Sequence, residues 1–339
     1  MEAATMRLRP GTPVLMRSDG SVQCGTDPRW SVVLDGLTPV EGSWLRDLTE
    51  RRHVSPGQSA ARRGVTPHRR DLILGVLARA GMLVAPSAEH GAGPGAATAD
   101  ARALGVLRPD GAGLATLAGR AAATVAITGL GRIGSVIALL LAAAGVGRLA
   151  LVDPRPVQTA DTGLGALTEQ DVGQARDEAL ARVVAGRSPA VEVLTDGDPE
   201  PDLAVVVESR ATLPARFARL MSAGIPHLPI VVREADVVVG PLVRPGHSTC
   251  VGCLDAVRAD QDGDWHLIGA QLRRGPEQPQ EAALSALAAA TAAGQVLAQL
   301  DGHRPTAVGS CLEISLPECL PRVRRVDPHP RCGCITLTP

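Results

Sequence analysis

A glycine-rich turn between an apolar strand and a helix is the feature that most limits how this chain can fold. The apolar residues 124–128 lead directly into Gly129-Leu-Gly131-Arg-Ile-Gly134, a helical pattern follows, and Asp153 ends the next apolar run. In such turns the first glycine permits the tight bend, the second lets a phosphate approach the backbone, and the third lets the helix pack on the strand. The acidic residue can accept hydrogen bonds from a ribose. The pattern predicts a nucleotide site, with a glycine-rich turn that holds no ligand as the alternative.

Apolar strand patterns alternate with helical patterns after this turn. A parallel sheet covered by helices on both faces has this sequence pattern, so we expect a doubly wound α/β domain over residues 101–339. The predicted strands are residues 148–153, 204–208, 227–232 and 236–242, and the predicted helices are residues 134–144, 170–185, 214–223 and 282–300. The last helix is broken by Ser, Thr and Gln, which favours a buried helix over a membrane span.

The first 84 residues have a different pattern, in which short alternating runs precede helical spacings. Turn signals at Asp19-Gly20 and Gly25 separate three strands within residues 10–35, and Pro67 stands at a helix start. We predict a winged-helix-like module over residues 1–84. Residues 85–100, rich in Ala, Gly and Pro, are predicted to be a linker.

Four of the seven cysteines form two close pairs. Two short turns can place four thiolates around one Zn²⁺ in a closed tetrahedral site that stabilises the fold and does no chemistry. The paired residues are Cys250 with Cys253 and Cys332 with Cys334. A redox pair or unliganded thiols are the alternatives. The remaining cysteines are interpreted as small buried apolar residues, namely Cys24, Cys311 and Cys319.

Composition and charge restrict the function further. The 339-residue chain contains no Lys and no Tyr, so all 34 basic residues are Arg and any mechanism that needs a lysine amine is excluded. A net charge of -1 gives no bulk basic field, so we expect neither a nucleic acid nor a membrane as partner. The N-terminus lacks a secretory signal pattern, and we expect a cytoplasmic protein.

The order of these features resembles the ThiF/MoeB-like superfamily, which includes the ubiquitin-activating enzymes. The glycine loop, Asp153, a CxxC pair, an apolar helix, two late strands and a final cysteine pair follow one another over residues 107–334. The resemblance implies a ThiF-like Rossmann domain with a four-cysteine zinc site, in a superfamily whose members adenylate a protein or peptide C-terminus with ATP. It also implies a homodimer.

The adenylation residues that this resemblance implies are not matched. Leu164 stands where an ATP-binding Arg is expected, and Ala211 stands where a Mg²⁺-binding Asp is expected. Arg176 replaces a lysine, and Arg132 replaces an additional glycine of the loop. Phosphoryl and nucleotidyl transfer depend on positioning and charge neutralisation, so these losses predict a degenerate active site without catalytic residues.

The glycine loop and Asp153 are then a vestigial nucleotide site, and ATP binding is doubtful. The alternative is that Asp161, Asp202 or Glu208 takes the metal role, which would leave an active ATP-dependent adenylyltransferase. An NAD-dependent oxidoreductase would follow from the glycine loop and Asp153 alone, but the sequence shows no recognisable catalytic set for it.

One branch of the superfamily combines a small N-terminal module with a non-adenylating, zinc-bearing domain. The chain resembles this branch, the leader-peptide-binding partners of YcaO cyclodehydratases in the biosynthesis of thiazole- and oxazole-containing ribosomal peptides, including thiopeptides. The C-terminal residues 328–334 and the stretch 264–272, which is predicted to lie in a long crossover loop, add to the resemblance. It implies that the N-terminal module takes the leader of a precursor peptide as an added strand, while a separate YcaO enzyme consumes ATP.

Residues 30–34 are predicted to be the sheet edge that accepts such a leader, next to the helix that starts near Pro67. The predicted contact residues are Trp30, Val32 and Leu34 on the strand and Arg69 and Arg70 on the helix, where the guanidinium groups could meet acidic leader residues. Ordinary solvated arginines are the alternative for the helix, and DNA binding is an alternative for the module. Trp265 is either a partner contact or locally packed.

Overall fold

The computed structural model of the protein describes residues 6–9, 11–50, 55–84, 96–194 and 200–335. The chain divides into two compact units, Met1–Ala118 and Gly119–Pro339. This division lies downstream of the predicted linker. Residues 85–95 of that linker are outside the described residues. Its last five residues, 96–100, are not a linker but the first part of the helix Ala96–Gly105.

The first unit contains two small antiparallel sheets and a set of helices. Its strands are β1 (Arg7–Leu8), β2 (Val14–Met16), β3 (Val22–Cys24), β4 (Val32–Leu34) and β5 (Leu83–Val84). Its helices are α1 (Pro39–Glu50), α2 (Pro56–Arg63), α3 (Pro67–Arg79) and α4 (Ala96–Gly105), and α5 (Gly113–Ala122) crosses the division between the units. The strand order β2-β3-β4 and the pairing of β1 with β5 were not distinguished by the sequence. The predicted three strands followed by helices are confirmed, whereas the winged-helix likeness stays a prediction.

An apolar core holds the strands and the first three helices together. Trp44 is fully buried, and its indole N–H donates to the carbonyl of Pro56 across 3.2 Å, which satisfies its one polar group. Cys24 and Leu34 from the sheet pack with Ile73 and Leu77 of α3 in this core. The buried position predicted for Cys24 is therefore confirmed.

The second unit is a sheet of eight strands with helices on its faces. The strand order is β13-β12-β11-β10-β9-β6-β7-β8, in which β8, β7, β6, β9 and β10 are parallel and the last three strands are antiparallel. The strands are β6 (Thr124–Thr128), β7 (Arg148–Val152), β8 (Glu192–Leu194), β9 (Leu203–Ser209), β10 (His227–Val232), β11 (Asp236–Val239), β12 (Ser310–Ser315) and β13 (Pro321–Arg325). The helices are α6 (Arg132–Ala143), α7 (Arg176–Arg187), α8 (Pro214–Ser222), α9 (Val251–Gln261), α10 (Trp265–Leu272) and α11 (Ala282–Leu300). The predicted doubly wound α/β fold is confirmed.

Two element predictions in this unit are wrong. The helix predicted from residue 170 begins at Arg176, because Thr168 and Asp171 close a separate single turn and Gly173 then adopts a φ of 89°. The stretch 264–272, predicted as part of a loop, forms α10.

Helix α11 is long and apolar enough to cross a membrane by length and composition. It packs against α6 and the sheet, and Leu284, Ala288, Ala292 and Val296 are buried in the core of the unit. The predicted buried helix is therefore confirmed.

Candidate functional site

A cleft lies where the chain turns from one half of the parallel sheet to the other. Strand β6 pairs with β7 on one side and with β9 on the other, and ligands of α/β sheets bind outside the carboxyl ends of such strands. A cavity of about 530 Å³ opens there, between Thr128 at the end of β6, Asp153 after β7 and Glu208 of β9. The predicted nucleotide residues and this cavity thus occupy one place.

Two of the three loop glycines have the packing roles that the sequence predicts. Gly129 has a φ of 84°, and a Cβ there would lie 2.2 Å from the carbonyl oxygen of Val207. A Cβ on Gly134 would lie 1.9 Å from the carbonyl oxygen of Gly129. Both positions therefore require glycine for the backbone approach alone, whether or not a ligand binds.

Side chains from elsewhere in the chain lie close to the loop, where a phosphate would approach. A Cβ on Gly131 would meet Gln280 Nε2 at 3.2 Å and Asp161 Oδ1 at 3.3 Å. The backbone N–H of Ile133, at the start of α6, donates to Gln280 Oε1 across 3.0 Å. The N–H of Leu130 donates to Asp153 Oδ2 across 2.8 Å. Two of the loop donors that would bind a phosphate therefore already have partners.

Asp153, predicted to accept from a ribose, is bound to arginines. Its side chain is almost completely buried, and Arg155 donates to both carboxylate oxygens across 2.7 and 2.8 Å. Burial would raise the pKa of the Asp153 carboxyl, but the hydrogen bonds from Arg155 and the Leu130 N–H outweigh it and lower that pKa. Asp153 is therefore ionised and already paired.

Arg176 lies at the centre of the charged groups. Only 1% of its side chain is exposed. It donates to both oxygens of Asp161 across 2.8 and 3.1 Å and to Glu277 across 3.0 Å. Burial by itself would lower the pKa of this guanidinium, but the contacts with Glu277 and Asp161 raise it above its ordinary value. Arg176, which was predicted to replace a lysine of the superfamily, is thus a buried cation paired with carboxylates.

The three carboxylates that the sequence offered as alternative metal ligands, Asp161, Asp202 and Glu208, each have a different hydrogen-bond or ion-pair partner. Asp161 pairs with Arg176, and Glu208 pairs with Arg216 and accepts from the N–H of Leu213 across 2.8 Å. Burial raises the pKa of the Glu208 carboxyl. Asp202 accepts from the N–H of Thr124 at the opposite, amino end of the strands.

Sequence reasoning missed Arg155, Glu277 and Gln280, which contact the loop or its charged neighbours. Arg155 stands two residues after Asp153 and could have been considered from that spacing. The other two lie before α11, far along the chain, and no local pattern connects them with the glycine loop. The additional arginine of the loop, Arg132, turns aside and donates to the carbonyl of Gln280 across 2.7 Å.

The four paired cysteines meet in one cluster. The sulfur atoms of Cys250 and Cys332 are 3.4 Å apart, those of Cys253 and Cys334 are 3.3 Å apart, and all four lie within 4.8 Å of one another. Four sulfurs at Zn–S distances of about 2.3 Å are roughly 3.8 Å apart, so the cluster fits a tetrahedral metal. Gly333, with a φ of 63°, supplies the turn that brings the last two thiols together.

Strand β4 forms one edge of its sheet and runs beside α3. Within the described part of the chain its ladder pairing is with β3 alone. Just after its end, the carbonyl of Gly36 accepts from Arg69 at the start of α3 across 3.0 Å. Just before its start, Trp30 lies under the guanidinium of Arg9, which also donates to the carbonyl of Gly81 after α3. These contacts indicate that β4 runs antiparallel to α3, and no strand among the described residues pairs with its other edge.

The arginines predicted to meet a leader have partners within the module. Arg69 donates to Glu41 Oε1 across 2.7 Å, and Arg70 pairs with the exposed Asp71. For Trp265 the sequence left open a partner contact or local packing. Its indole N–H donates to Asp255 across 3.2 Å, and its ring stacks with Arg258. The leader role of Arg69 and Arg70 stays a prediction, because an acidic residue would have to compete with these carboxylates.

The ion pair between Arg69 and Glu41 predicts an acid-dependent stability. The hydrogen bond from Arg69 holds the pKa of the Glu41 carboxyl at about 2, below its ordinary 4.5. Stability from a lowered carboxyl pKa is present above the unfolded value and is lost as pH falls through the folded one. We expect Arg69→Gln to lower the thermal midpoint by roughly 5 °C at pH 7 and by progressively less between pH 4.5 and 2. Thermal melts followed by circular dichroism measure the midpoints, with Arg70→Gln as the control. A difference in midpoint between the unchanged chain and Arg69→Gln that does not change with pH would contradict a stabilising Arg69–Glu41 ion pair.

The middle of the chain matches a known family. Residues 111–199, which include the glycine loop, Asp153 and Arg176, match the profile of the ThiF family. No curated protein matches the chain.

Solved structures match over nearly the whole length. Escherichia coli MccB with AMPCPP and MccA superposes with a TM-score of 0.75 at 17% identity, covering 97% of this chain and 99% of that chain. The microcin C7 biosynthetic enzyme MccB in complex with N-formylated MccA gives 0.73 at 17% identity, with coverages of 97% and 99%. PaaA gives 0.70 at 18% identity, with coverages of 93% and 98%. At such identities the likeness concerns the fold.

Proposed function

We propose that this chain binds the leader of a ribosomally made precursor peptide and presents it to a partner YcaO cyclodehydratase for azoline and azole formation. The observation that carries the proposal is the free edge of β4 beside α3, because an extended peptide adds to such an edge through main-chain hydrogen bonds. The fold is also that of MccB, which has been crystallised with the MccA peptide. We also propose a cytoplasmic location, as expected from the sequence, and a homodimer on the resemblance alone.

The ThiF-family domain is, in this proposal, non-catalytic. Two of its loop donors are bound to Asp153 and Gln280, and Asp153, Asp161 and Glu208 are each paired with an arginine. Transfer of a nucleotidyl group needs cations placed against the triphosphate, and Arg155, Arg176 and Arg216 are placed against carboxylates instead. The four-cysteine cluster would hold a structural Zn²⁺, which closes the domain and supplies no chemistry when its four positions are taken by protein sulfur.

The proposal predicts that a short precursor peptide and a YcaO cyclodehydratase are encoded beside the gene of this chain, and these two would supply the test. We expect the fluorescein-labelled leader to bind the purified chain in a fluorescence polarisation titration and a scrambled leader not to bind. Azoline formation by the cyclodehydratase should require this chain. It is measured by mass spectrometry as a loss of mass from the precursor. Absence of leader binding, or azoline formation at the same rate without the chain, would contradict the proposal.

An ATP-dependent adenylyltransferase is the second candidate, favoured by the cavity of about 530 Å³ next to Asp153. Its signature is ATP–pyrophosphate exchange that depends on the precursor and on Mg²⁺. We expect no exchange above the level without enzyme. Exchange that disappears in Asp153→Ala would establish the second candidate instead.

A further inference from the structure

The segment between α10 and α11 crosses the cleft and is held at nearly every residue. We call residues 276–280 the crossover strap. The carbonyl of Pro276 accepts from Arg210 across 2.7 Å, and the N–H of Gln278 donates to Ser209 across 2.8 Å. Arg210 adopts a φ of 69°, unusual for a residue with a side chain, so its turn at the end of β9 is maintained by the surrounding structure.

Two side chains of the crossover strap reach the places where nucleotide phosphates would be bound. Glu277 contacts both Arg155 and Arg176, the guanidinium groups closest to Asp153 in this cleft. Gln280 accepts the N–H of Ile133 across 3.0 Å and lies over Gly131. One side chain thus supplies a carboxylate to the arginines, and the other supplies an oxygen to the loop.

We propose that the crossover strap is a built-in occupant of the phosphate end of the cleft. Glu277 takes the place of an anion between Arg155 and Arg176, and Gln280 takes the loop N–H, so the cleft is closed to nucleotide polyphosphates while the strap is in place. Glu277 also neutralises part of the positive charge that Arg155 and Arg176 would otherwise present to an anion.

The inference can be tested on the full chain with ATP and inorganic pyrophosphate as probes in isothermal titration calorimetry. We expect Glu277→Ala combined with Gln280→Ala to bind pyrophosphate at least about tenfold more tightly than the unchanged chain. Adding Arg155→Gln to this pair of substitutions should remove the gain, because Arg155 then no longer meets the anion. Glu169→Gln, an exposed carboxylate outside the cleft, should behave like the unchanged chain.

Equal affinities of the unchanged chain and the doubly substituted chain, or no binding by either, would overturn the inference. If the double variant does not fold, Glu277→Gln decides, because it keeps the side-chain shape and removes only the charge. The result is separate from leader binding, since Glu277 and Gln280 belong to the second unit and β4 to the first. A chain that gains pyrophosphate binding and fails to bind a leader would contradict the proposed function alone.

Discussion

Cys253→Ser is expected to remove one zinc ion per chain and to destabilise the second unit by at least about 4 kcal/mol. The Cys253 side chain is completely buried, and the cluster joins the start of α9 to a turn eighty residues later in the chain. Zinc binds in the folded state and not in the unfolded chain, so its binding free energy adds to stability. Loss of one of four thiolates removes a bond and leaves the other buried sulfur atoms without a metal.

The measurements are the metal content of the purified chain by plasma mass spectrometry and its unfolding in urea. Cys319→Ser is the matched control, because Cys319 is half-buried and lies outside the cluster. We expect about one zinc per chain in the unchanged protein and in the control, and none in Cys253→Ser. A chain purified without metal, or a Cys253→Ser variant as stable as the control, would contradict a structural zinc.

The sequence was sufficient for features that depend on local pattern. The glycine loop was predictable because Gly129 and Gly134 are required by backbone contacts within a single strand-turn-helix unit. The cysteine cluster was predictable because two close cysteine pairs, with two and one residues between the cysteines, are typical of a four-thiolate metal site. The edge strand followed from the short alternating runs, although the sequence did not show that β4 runs antiparallel to α3.

The interactions that decide the chemistry of the cleft were beyond sequence reasoning. Asp161 and Arg176 are fifteen residues apart in the chain, and Gln280 meets the loop from 147 residues away. Such contacts depend on how helices and crossover segments pack against one another. Hydrophobic periodicity predicts the elements themselves but does not predict this packing. The sequence predicted which superfamily groups are missing; the structure shows which side chains contact the loop and Asp153.

The hydrogen-bond register of the first sheet shows which residue of β4 faces its free edge. In antiparallel pairs, residues opposite one another alternate between hydrogen-bonded and non-bonded positions. The N–H of Arg17 donates to the carbonyl of Ser21 and that of Gly25 to Pro13, so Gln23, between them, bonds toward β2. The neighbouring residues of β3 therefore bond toward Val32 and Leu34, and Val33 points its N–H and carbonyl outward.

Val33→Pro should therefore weaken leader binding by about a hundredfold while leaving the module folded. Proline removes the outward N–H, and its ring obstructs an added strand, but the bonds of Val32 and Leu34 to β3 remain. The Val33 side chain is 42% exposed, so the substitution opens no cavity. Val33→Thr keeps the N–H and the branched shape and is expected to bind within about threefold of the unchanged chain. Fluorescence polarisation with the labelled leader, alongside thermal melts of both variants, makes the comparison. Unchanged affinity in a folded Val33→Pro would exclude the edge of β4 as the leader site, because an added strand at this edge pairs with the outward groups of Val33.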